Sequence, residues 1–179
     1  MFWYTVANTV MCILAIVAVG YCAFRLYAYR QGDEHIVFST KRRTAFALED
    51  IGFDRVVLYS DIPYENKGKQ NGTLMDVYPR HLLPQEQFDN VGIVSRTTSL
   101  EKERHDGYWE AVIIPPGKGG HVRLRVEMTA KNGNIRSDLN DFPDMPIDIV
   151  YQVVGRSDWY ITKARIVLDA DEVVQALRR

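Results

Sequence analysis

The sequence predicts an all-β domain, an antiparallel β-sandwich of seven or eight strands that is loosely immunoglobulin-like, behind one N-terminal transmembrane helix. Two observations predict this class. Residues 2–24 form an apolar run without a charged side chain, and the rest of the chain contains short segments of alternating polar and apolar residues separated by glycine and proline. Strict alternation is typical of a strand with one buried and one solvated face. No strand–helix alternation is visible, so a parallel α/β sheet is not expected.

Residues 2–24 are long and apolar enough to cross a bilayer. As an α-helix they would measure roughly 34 Å, and the hydrocarbon core of a bilayer is about 30 Å thick. We therefore expect residues 2–24 to contact the lipid bilayer, and residues 1–30 to form a single-pass anchor in the cell membrane. Aromatic residues flank the run as they do at both interfaces of a spanning helix; they are Phe2, Trp3, Tyr4, Tyr21, Tyr27 and Tyr29.

A cleaved signal peptide is the main alternative. It would need basic residues before the apolar run and a small-residue cleavage pattern after it, and the sequence has neither. Cys22 follows the bulky Tyr21, which disfavours lipid attachment at that cysteine. A buried core helix would need an apolar run of unusual length. An uncleaved anchor is therefore the prediction.

The side of the membrane on which the domain lies is less constrained. Arg25, Arg30 and residues 41–43 follow the span, and basic residues tend to remain in the cytoplasm. The charges thus slightly favour a cytoplasmic domain, while an extracytoplasmic domain stays open by analogy with other anchored β-rich modules. Cys12 and Cys22 both lie in the span, so a disulfide-stapled domain or a thiolate metal site is excluded for residues 31–179.

The clearest strand is predicted over residues 121–129, where Val122, Leu124, Val126 and Met128 alternate with polar residues. Asn132-Gly133 follows as a hairpin-type turn signal. Segments rich in glycine, proline and aspartate separate the other predicted strands; they include residues 61–63, the prolines at 79 and 84, residues 115–117 and residues 155–158. These strands are residues 55–60, 73–78, 91–97, 108–114, 147–154 and 159–168, the last two joined as a hairpin.

Two short helices are also expected. One covers Arg43–Ile51 and ends at Gly52, and the other covers Glu172–Arg179 with Asp169 or Asp171 as its cap. The predicted organisation is an anchor over residues 1–30, a juxtamembrane hinge and short helix over 31–52, a β-sandwich over 53–168 and a C-terminal helix over 169–179.

Several segments resemble functional motifs without satisfying their requirements. The glycine cluster at residues 117–120 lacks the spacing, the Ser or Thr and the following helix of a phosphate-binding loop, so we expect a hairpin loop there. The acidic segment 138–148 could gather oxygen ligands for a metal, but Phe142 occupies a ligand position of the EF-hand pattern, so a solvated loop is favoured. Its acidic and amide residues are Asp138, Asn140, Asp141, Asp144 and Asp148.

The histidines and carboxylates do not define a catalytic site. His35, His81, His105 and His121 show no metal-ligand spacing, and alternation places His121 on the solvated face of its strand. Trp109 is expected in the core, with Glu110 as its outward neighbour, rather than in a sugar-binding platform. The other scattered carboxylates are Glu65, Asp76, Glu101 and Glu103.

Segments 61–70 and 79–90 are the candidate functional loops, and the second contains Arg80, His81 and Gln85. The balance of 22 basic and 23 acidic residues does not suggest nucleic acid as a partner. We assign no catalytic residue, cofactor or metal. The leading hypothesis is a non-enzymatic interaction module or accessory subunit of a membrane complex, with a protein partner. An envelope domain that binds a glycan, peptide or metal is the alternative, and a hydrolase is the third.

Overall fold

A computed structural model describes residues 1–83, 86, 88–104, 106–156 and 158–178. Of the residues singled out above, Gln85, His105 and Arg179 lie outside the described residues. The elements are, in chain order, α1 (Phe2–Gln31), β1 (Ile36–Phe38), a 3-10 turn (Thr40–Arg42), β2 (Ala47–Ile51), β3 (Arg55–Asn66), β4 (Gly72–His81), β5 (Val91–Ser99), β6 (Val112–Ile114), β7 (Gly119–Ala130), α2 (Ile135–Asp138), β8 (Met145–Val154), β9 (Trp159–Leu168) and α3 (Ala170–Leu177).

The strands form two antiparallel sheets, which confirms the predicted sandwich. In the first sheet β3 pairs with β1, β2 and β7, and β7 pairs with β5; the second sheet has the order β6-β4-β8-β9. The neighbour orders β2-β3-β7-β5 and β4-β8-β9 match the A-B-E-D and C-F-G sheets of an immunoglobulin constant-type domain, to which β1 and β6 are additions. The described residues thus contain nine strands, against the seven or eight predicted.

The core lies between the sheets because one face of each strand is apolar. In β7 the four predicted inward residues are fully buried, and they are Val122, Leu124, Val126 and Met128. A buried hydrogen bond also crosses between the sheets, from Thr97 Oγ1 to the Val77 carbonyl at 2.6 Å. Trp109 is buried as predicted, and its indole nitrogen donates to the Leu74 carbonyl.

The predicted helix over Arg43–Ile51 is wrong, since residues 47–51 form β2. Ala47 pairs with Tyr59 and Ile51 pairs with Val56, so the backbone polar groups of this segment are satisfied by β3. The Gly52 nitrogen donates to the Arg55 carbonyl, which places Gly52 in the turn between β2 and β3 rather than at a helix end. Tertiary pairing here overrides local helix propensity. The expected hinge region therefore contributes β1 and β2 to the sandwich.

Two prolines that were expected to end strands lie inside them. Pro63 is within β3, at a position between the parts of that strand that pair with β1 and β2. Pro79 is within β4, where β6 no longer covers the strand because it pairs only with Gly72–Leu74. A missing N–H is tolerated where the strand has a neighbour on one side only. β3 and β4 are consequently longer than predicted, whereas the strand predicted over 108–114 shortens to Val112–Ile114.

Two predicted hairpin turns are crossovers between the sheets. Asn132-Gly133 follows β7, but the next strand, β8, belongs to the other sheet. Residues 117–120 likewise connect β6 in the second sheet to β7 in the first. Gly133 and Gly117 have φ values of 87° and 68°, so the turn signals correctly marked left-handed backbone. The hairpin over residues 155–158 between β8 and β9 is confirmed.

The two terminal helices differ in their surroundings. Among the described residues, α1 is the one helix long and apolar enough to span a membrane, and none of its side chains is buried by the sandwich. α3 packs on the sandwich through Val173 and Ala176. The Asp144 carboxylate accepts a hydrogen bond from the Ala170 nitrogen at 2.8 Å, while Asp169 makes no side-chain cap. The expected capping role therefore belongs to an aspartate outside the helix.

A single asparagine connects the elements at the end of the sandwich where α1 joins. We call this the proximal end; it carries the loops 67–71, 115–118 and 155–158. The Asn66 side chain is fully buried, and its oxygen accepts from the His35 and Gly68 nitrogens at 3.0 and 2.9 Å. Its amide donates to the Gln70 and Ile114 carbonyls at 2.8 and 2.9 Å. Every polar atom of this amide is thus satisfied.

We expect substitution of Asn66 to lower the free energy of unfolding sharply. Asn66→Ala removes the side-chain partner of four backbone groups, one of them buried and three partly buried, and we expect a loss of about 3–5 kcal/mol. Asn66→Asp removes both donors and places a carboxylate against two carbonyls, so it should be as damaging. Thermal unfolding of the full-length protein in mild detergent measures the effect.

The matched control is Asn71→Ala. Asn71 is exposed in the same proximal loop, and its substitution should change stability by less than about 0.5 kcal/mol. Equal stability of the Asn66 and Asn71 variants would show that the hydrogen bonds of Asn66 do not hold the proximal end together.

Candidate functional site

The outer face of the first sheet contains a charged depression of about 340 Å³, which we call the furrow. It opens between β2, β3, β5 and β7. The furrow is lined by Glu49, Asp50, Val57, Val94, Arg96, Thr97, Thr98, Arg104, Arg125 and Glu127.

Strand register places most of these side chains on one face; Thr97 is the exception, since its hydroxyl points into the core. Val94 and Val57 both pair with Glu127, and Arg96 pairs with Arg125, so all five side chains point outward together. A register shift in β2 between Leu48 and Asp50 interrupts the regular alternation at residue 49. The bulge presents the Glu49 carboxylate to Arg125 across β3.

Arg125 lies at the centre of the furrow and holds two carboxylates. Its Nε and Nη2 donate to Glu49 Oε2 and Oε1 at 2.7 and 2.9 Å, and Nη2 also donates to Glu103. The bidentate geometry is the strong form of this ion pair. The hydrogen bonds to Glu49 and Glu103 raise the pKa of Arg125. Glu103 is therefore part of this cluster and not an isolated carboxylate.

Arg123 extends the cluster along β7 towards the proximal end. Its Nε and Nη2 donate to Asp61 at 2.7 and 2.9 Å, and its guanidinium lies 4.5 Å from the centroid of the Tyr59 ring. Hydrogen bonding to Asp61, opposed in part by desolvation, raises the pKa of Arg123. The ion pair and the ring together hold this side chain flat against the sheet.

The rim of the furrow has two partly exposed arginines, of which Arg96 is loosely paired and Arg104 is paired with Asp106. Arg96 is about half exposed and approaches Glu127 only to 4.0 Å. Arg104 donates to Asp106 and lies over the Tyr108 ring at 5.2 Å. The hydrogen bonds from Arg104 lower the pKa of Asp106 to about 2. The rim therefore retains guanidinium donors that face solvent.

The carboxylates of the acidic segment 138–148 have separate partners and do not converge on one point. The buried Asp138 carboxylate accepts from the Asn132 nitrogen at 2.8 Å, and Asp144 caps α3. Asp148 is 3% exposed and accepts from Arg165 Nε at 2.7 Å and Lys163 Nζ at 2.8 Å. Those hydrogen bonds, from Arg165 first and Lys163 second, hold the pKa of Asp148 far below its usual range. Among the described residues no three His, Cys, Asp or Glu side chains form a metal-sized cluster.

The other sequence candidates are also separate from one another. Glu110 pairs with Lys102 at 3.1 Å, Glu101 lies beside Tyr64, and Asp76 is exposed on the second sheet. Burial, and to a smaller extent Glu101, raises the pKa of Tyr64 to about 12. Glu65 approaches Arg42 to 4.0 Å, which is a weak contact.

Within the part of the chain that the structure describes, neither the histidines nor the two candidate loops come together as a site. His121 is exposed on β7 as predicted, and His35 is exposed before β1. His81 Nδ1 lies 3.4 Å from Ser95 Oγ, and burial lowers the pKa of this histidine. Segment 61–70 is half strand, and Arg80 is exposed near the end of β4. The candidate binding surfaces therefore lie on sheet faces instead.

The furrow was not predicted from the sequence, although part of its signal was present. The alternation in β7 correctly placed Arg123, Arg125 and Glu127 on the solvated face. The carboxylates that face them come from β2, from β3 and from the segment after β5, which are distant in sequence. No local pattern marks Glu49, because it lies in a segment expected to be helical.

No protein-family model matches the sequence, and no curated protein matches it. The fold is similar to that of solved structures. One is a Bordetella pertussis protein designated ApaA, with a TM-score of 0.42 and 12% identity over 76% of this chain and 94% of that chain. A second is the GAE domain of yeast GGA1, with a TM-score of 0.37 and 10% identity over 75% of this chain and 91% of that chain. A third is the GAE domain of GGA2p from Saccharomyces cerevisiae, with a TM-score of 0.37 and 8% identity over 76% of this chain and 98% of that chain.

We expect Arg125 and Glu49 to be energetically coupled. A double-mutant cycle of Arg125→Met and Glu49→Gln should give a coupling energy of roughly 0.5–2 kcal/mol, because the pair is bidentate and only partly exposed. The coupling should fall as salt is raised. Unfolding of the full-length variants in detergent measures it. The control cycle pairs Arg125→Met with Glu110→Gln, which has a different partner, and should be additive. Similar coupling in both cycles would contradict a specific contact.

We expect Asp148 to stabilise the second sheet in a pH-dependent way. Asp148→Asn removes charge-assisted hydrogen bonds to two β9 side chains and should cost about 1–2 kcal/mol at pH 7, since the partners themselves are about half exposed. The pKa is lowered on folding, so this contribution is complete above the usual aspartate pKa of about 3.9 and declines as pH falls below it. Unfolding at neutral and acidic pH should show the difference from wild type shrinking in acid.

Asp76→Asn is the control for that comparison. Asp76 is exposed on the same face of the same sheet, and its substitution should have little effect at either pH. A pH-independent effect of Asp148→Asn would contradict an electrostatic origin.

Proposed function

We propose that this chain is a single-pass membrane protein whose β-sandwich is a non-enzymatic interaction module, acting as an accessory subunit of a membrane complex and binding a protein partner at the furrow. The furrow carries the proposal. It is a concave surface on a rigid sheet, and it presents arginines and carboxylates that are positioned by ion pairs.

The chemistry of the furrow favours a protein partner over a small molecule. A small-molecule site is usually an apolar enclosed pocket with a few polar groups. The furrow instead has charges of both signs, and its exposed rim arginines are the residue type enriched at protein interfaces. Opposite charges on a partner would provide specificity and a fast association rate.

The state of the carboxylates supports a role without catalysis. A general acid or base needs a side chain that can reach substrate and titrate near working pH. Asp61, Glu49 and Glu103 accept hydrogen bonds from Arg123 or Arg125, and Asp148 accepts from two cations. These carboxylates fix the positions of basic side chains on the outer faces of the two sheets.

The anchor explains how such a module would meet its partner. α1 is suited to span the bilayer, and only residues 32–35 separate it from β1. The domain would therefore remain next to the membrane, where membrane-embedded partners lie. Arg25 and Arg30 at the end of the helix favour a cytoplasmic position for the domain.

Charge reversal on the rim tests this proposal. We expect Arg96→Glu combined with Arg104→Glu to abolish stoichiometric co-purification of a partner with the full-length protein in mild detergent, because the rim guanidinium donors are lost. Lys41→Glu is the control, since Lys41 is exposed outside the furrow. The partner band should persist with that variant. Recovery of the wild-type protein as a lone monomer would contradict the accessory-subunit role, and an equal loss in both variants would contradict the furrow as the binding surface.

A further inference from the structure

The outer face of the second sheet exposes apolar side chains in one register row at the proximal end. Ile113 pairs with Thr73, Thr73 with Val154, and Val154 with Trp159, so these four residues cross all four strands side by side. We call them the proximal row. The two end residues are strongly exposed, Ile113 at 66% and Trp159 at 59%, and Ile161 next along β9 is 57% exposed.

The row lies beside the C-terminal end of α1. Gln31, the last residue of the helix, contacts Arg156 in the hairpin that joins Val154 to Trp159. Its carbonyl accepts from Gln70 Nε2 at 3.3 Å, just before β4. The helix end is therefore connected by direct contacts to the β8–β9 hairpin and to the loop before β4.

The length of α1 sets how far this end lies from the hydrocarbon. Gln31 comes seven residues after Phe24, the end of the uncharged run. At 1.5 Å per residue that is about 10 Å, whereas the headgroup layer on each side of a bilayer is about 5–8 Å thick. Gln31 therefore lies just outside the headgroup layer, and a small tilt of the sandwich about this point would bring the nearby Trp159 into the membrane interface, which indole rings favour.

The loops around the row carry basic side chains. Lys67 and Lys69 lie in the first proximal loop, Lys118 in the second and Arg156 in the third, and all are exposed. Basic residues near a bilayer are attracted to anionic headgroups.

Few acids face solvent in these loops. Asp158 accepts from the Trp159 nitrogen, and Glu34 is packed over Gly155 with its Oε2 buried and without a hydrogen-bond partner. Glu65 is within 4.0 Å of Arg42. The exposed charge of the three proximal loops is therefore predominantly positive.

We propose that the proximal row docks on the lipid headgroup layer of the bilayer that α1 spans, with Trp159 and Ile113 in the interface and the basic loops on anionic headgroups. The inference rests on the anchoring role of α1 proposed above. It gives the sandwich a defined tilt on the membrane, which leaves the furrow on the opposite sheet facing away from lipid. An exposed apolar row of this kind is otherwise unfavourable in water.

Tryptophan fluorescence tests the docking. The chain has three tryptophans, of which Trp109 is buried in the core. In full-length Trp3→Phe protein, reconstituted in nanodiscs of phosphatidylcholine and phosphatidylserine, Trp159 is then the exposed reporter. Lipids brominated near the headgroup end of the acyl chain should quench its emission more than lipids brominated near the chain end. The Trp3→Phe, Trp159→Phe double variant should show almost no quenching.

The Trp159→Phe variant reports on the anchor separately through Trp3. Quenching of Trp3 without quenching of Trp159 would show an inserted helix with the row off the membrane; that result overturns the docking proposal and leaves the face to a protein partner. Absence of quenching at both tryptophans would overturn the anchor and this inference with it.

Charge reversal distinguishes the contribution of the basic loops to membrane docking from that of the apolar row. Lys67→Glu with Lys118→Glu, in the Trp3→Phe background, should reduce Trp159 quenching in discs that contain phosphatidylserine. Lys131→Glu at the opposite end of the sandwich is the control and should leave quenching unchanged. Equal quenching in all three proteins would overturn the contribution of anionic headgroups.

Discussion

The buried side chain of Asn66 is the interaction on which the proximal end of this protein depends. It joins the segment before β1, the β3–β4 loop and the end of β6, three parts that share no strand pairing with one another. A buried amide is costly unless all its hydrogen bonds are made, and here all are. These hydrogen bonds therefore hold the segment that follows α1 in a defined place on the sandwich.

The two outer faces of the sandwich use polar and apolar groups differently. On the first sheet, arginines from β7 pair with carboxylates from β2, β3 and the segment after β5, so the face is charged and rigid. On the second sheet, Lys163 and Arg165 pair with Asp148 at the end away from α1, and apolar residues face outward at the proximal end. The charged face is the basis of the proposed protein contact, and the apolar end next to α1 is the basis of the proposed lipid contact.

Regular strands were predictable because their pattern is local. The alternation in 121–129 and the run 159–168 both correspond to strands, and the hairpin at 155–158 joins β8 and β9 as expected. β2 was missed because its residues are good helix formers that become a strand only through pairing with β3. Pro63 and Pro79 misled the strand boundaries, since their tolerance depends on which neighbouring strand stops short.

The sequence by itself determined the apolar helix, the antiparallel β class and the lack of local spacing for metal or phosphate binding. These depend on periodicity, composition and nearest neighbours along the chain. Only the tertiary structure decided that Asn66 is buried, that Glu49 and Glu103 meet at Arg125, and that Ile113 and Trp159 share a row near the end of α1. Such contacts join residues that are far apart in sequence. They are set by strand order and register, which no local pattern of amino acids reveals.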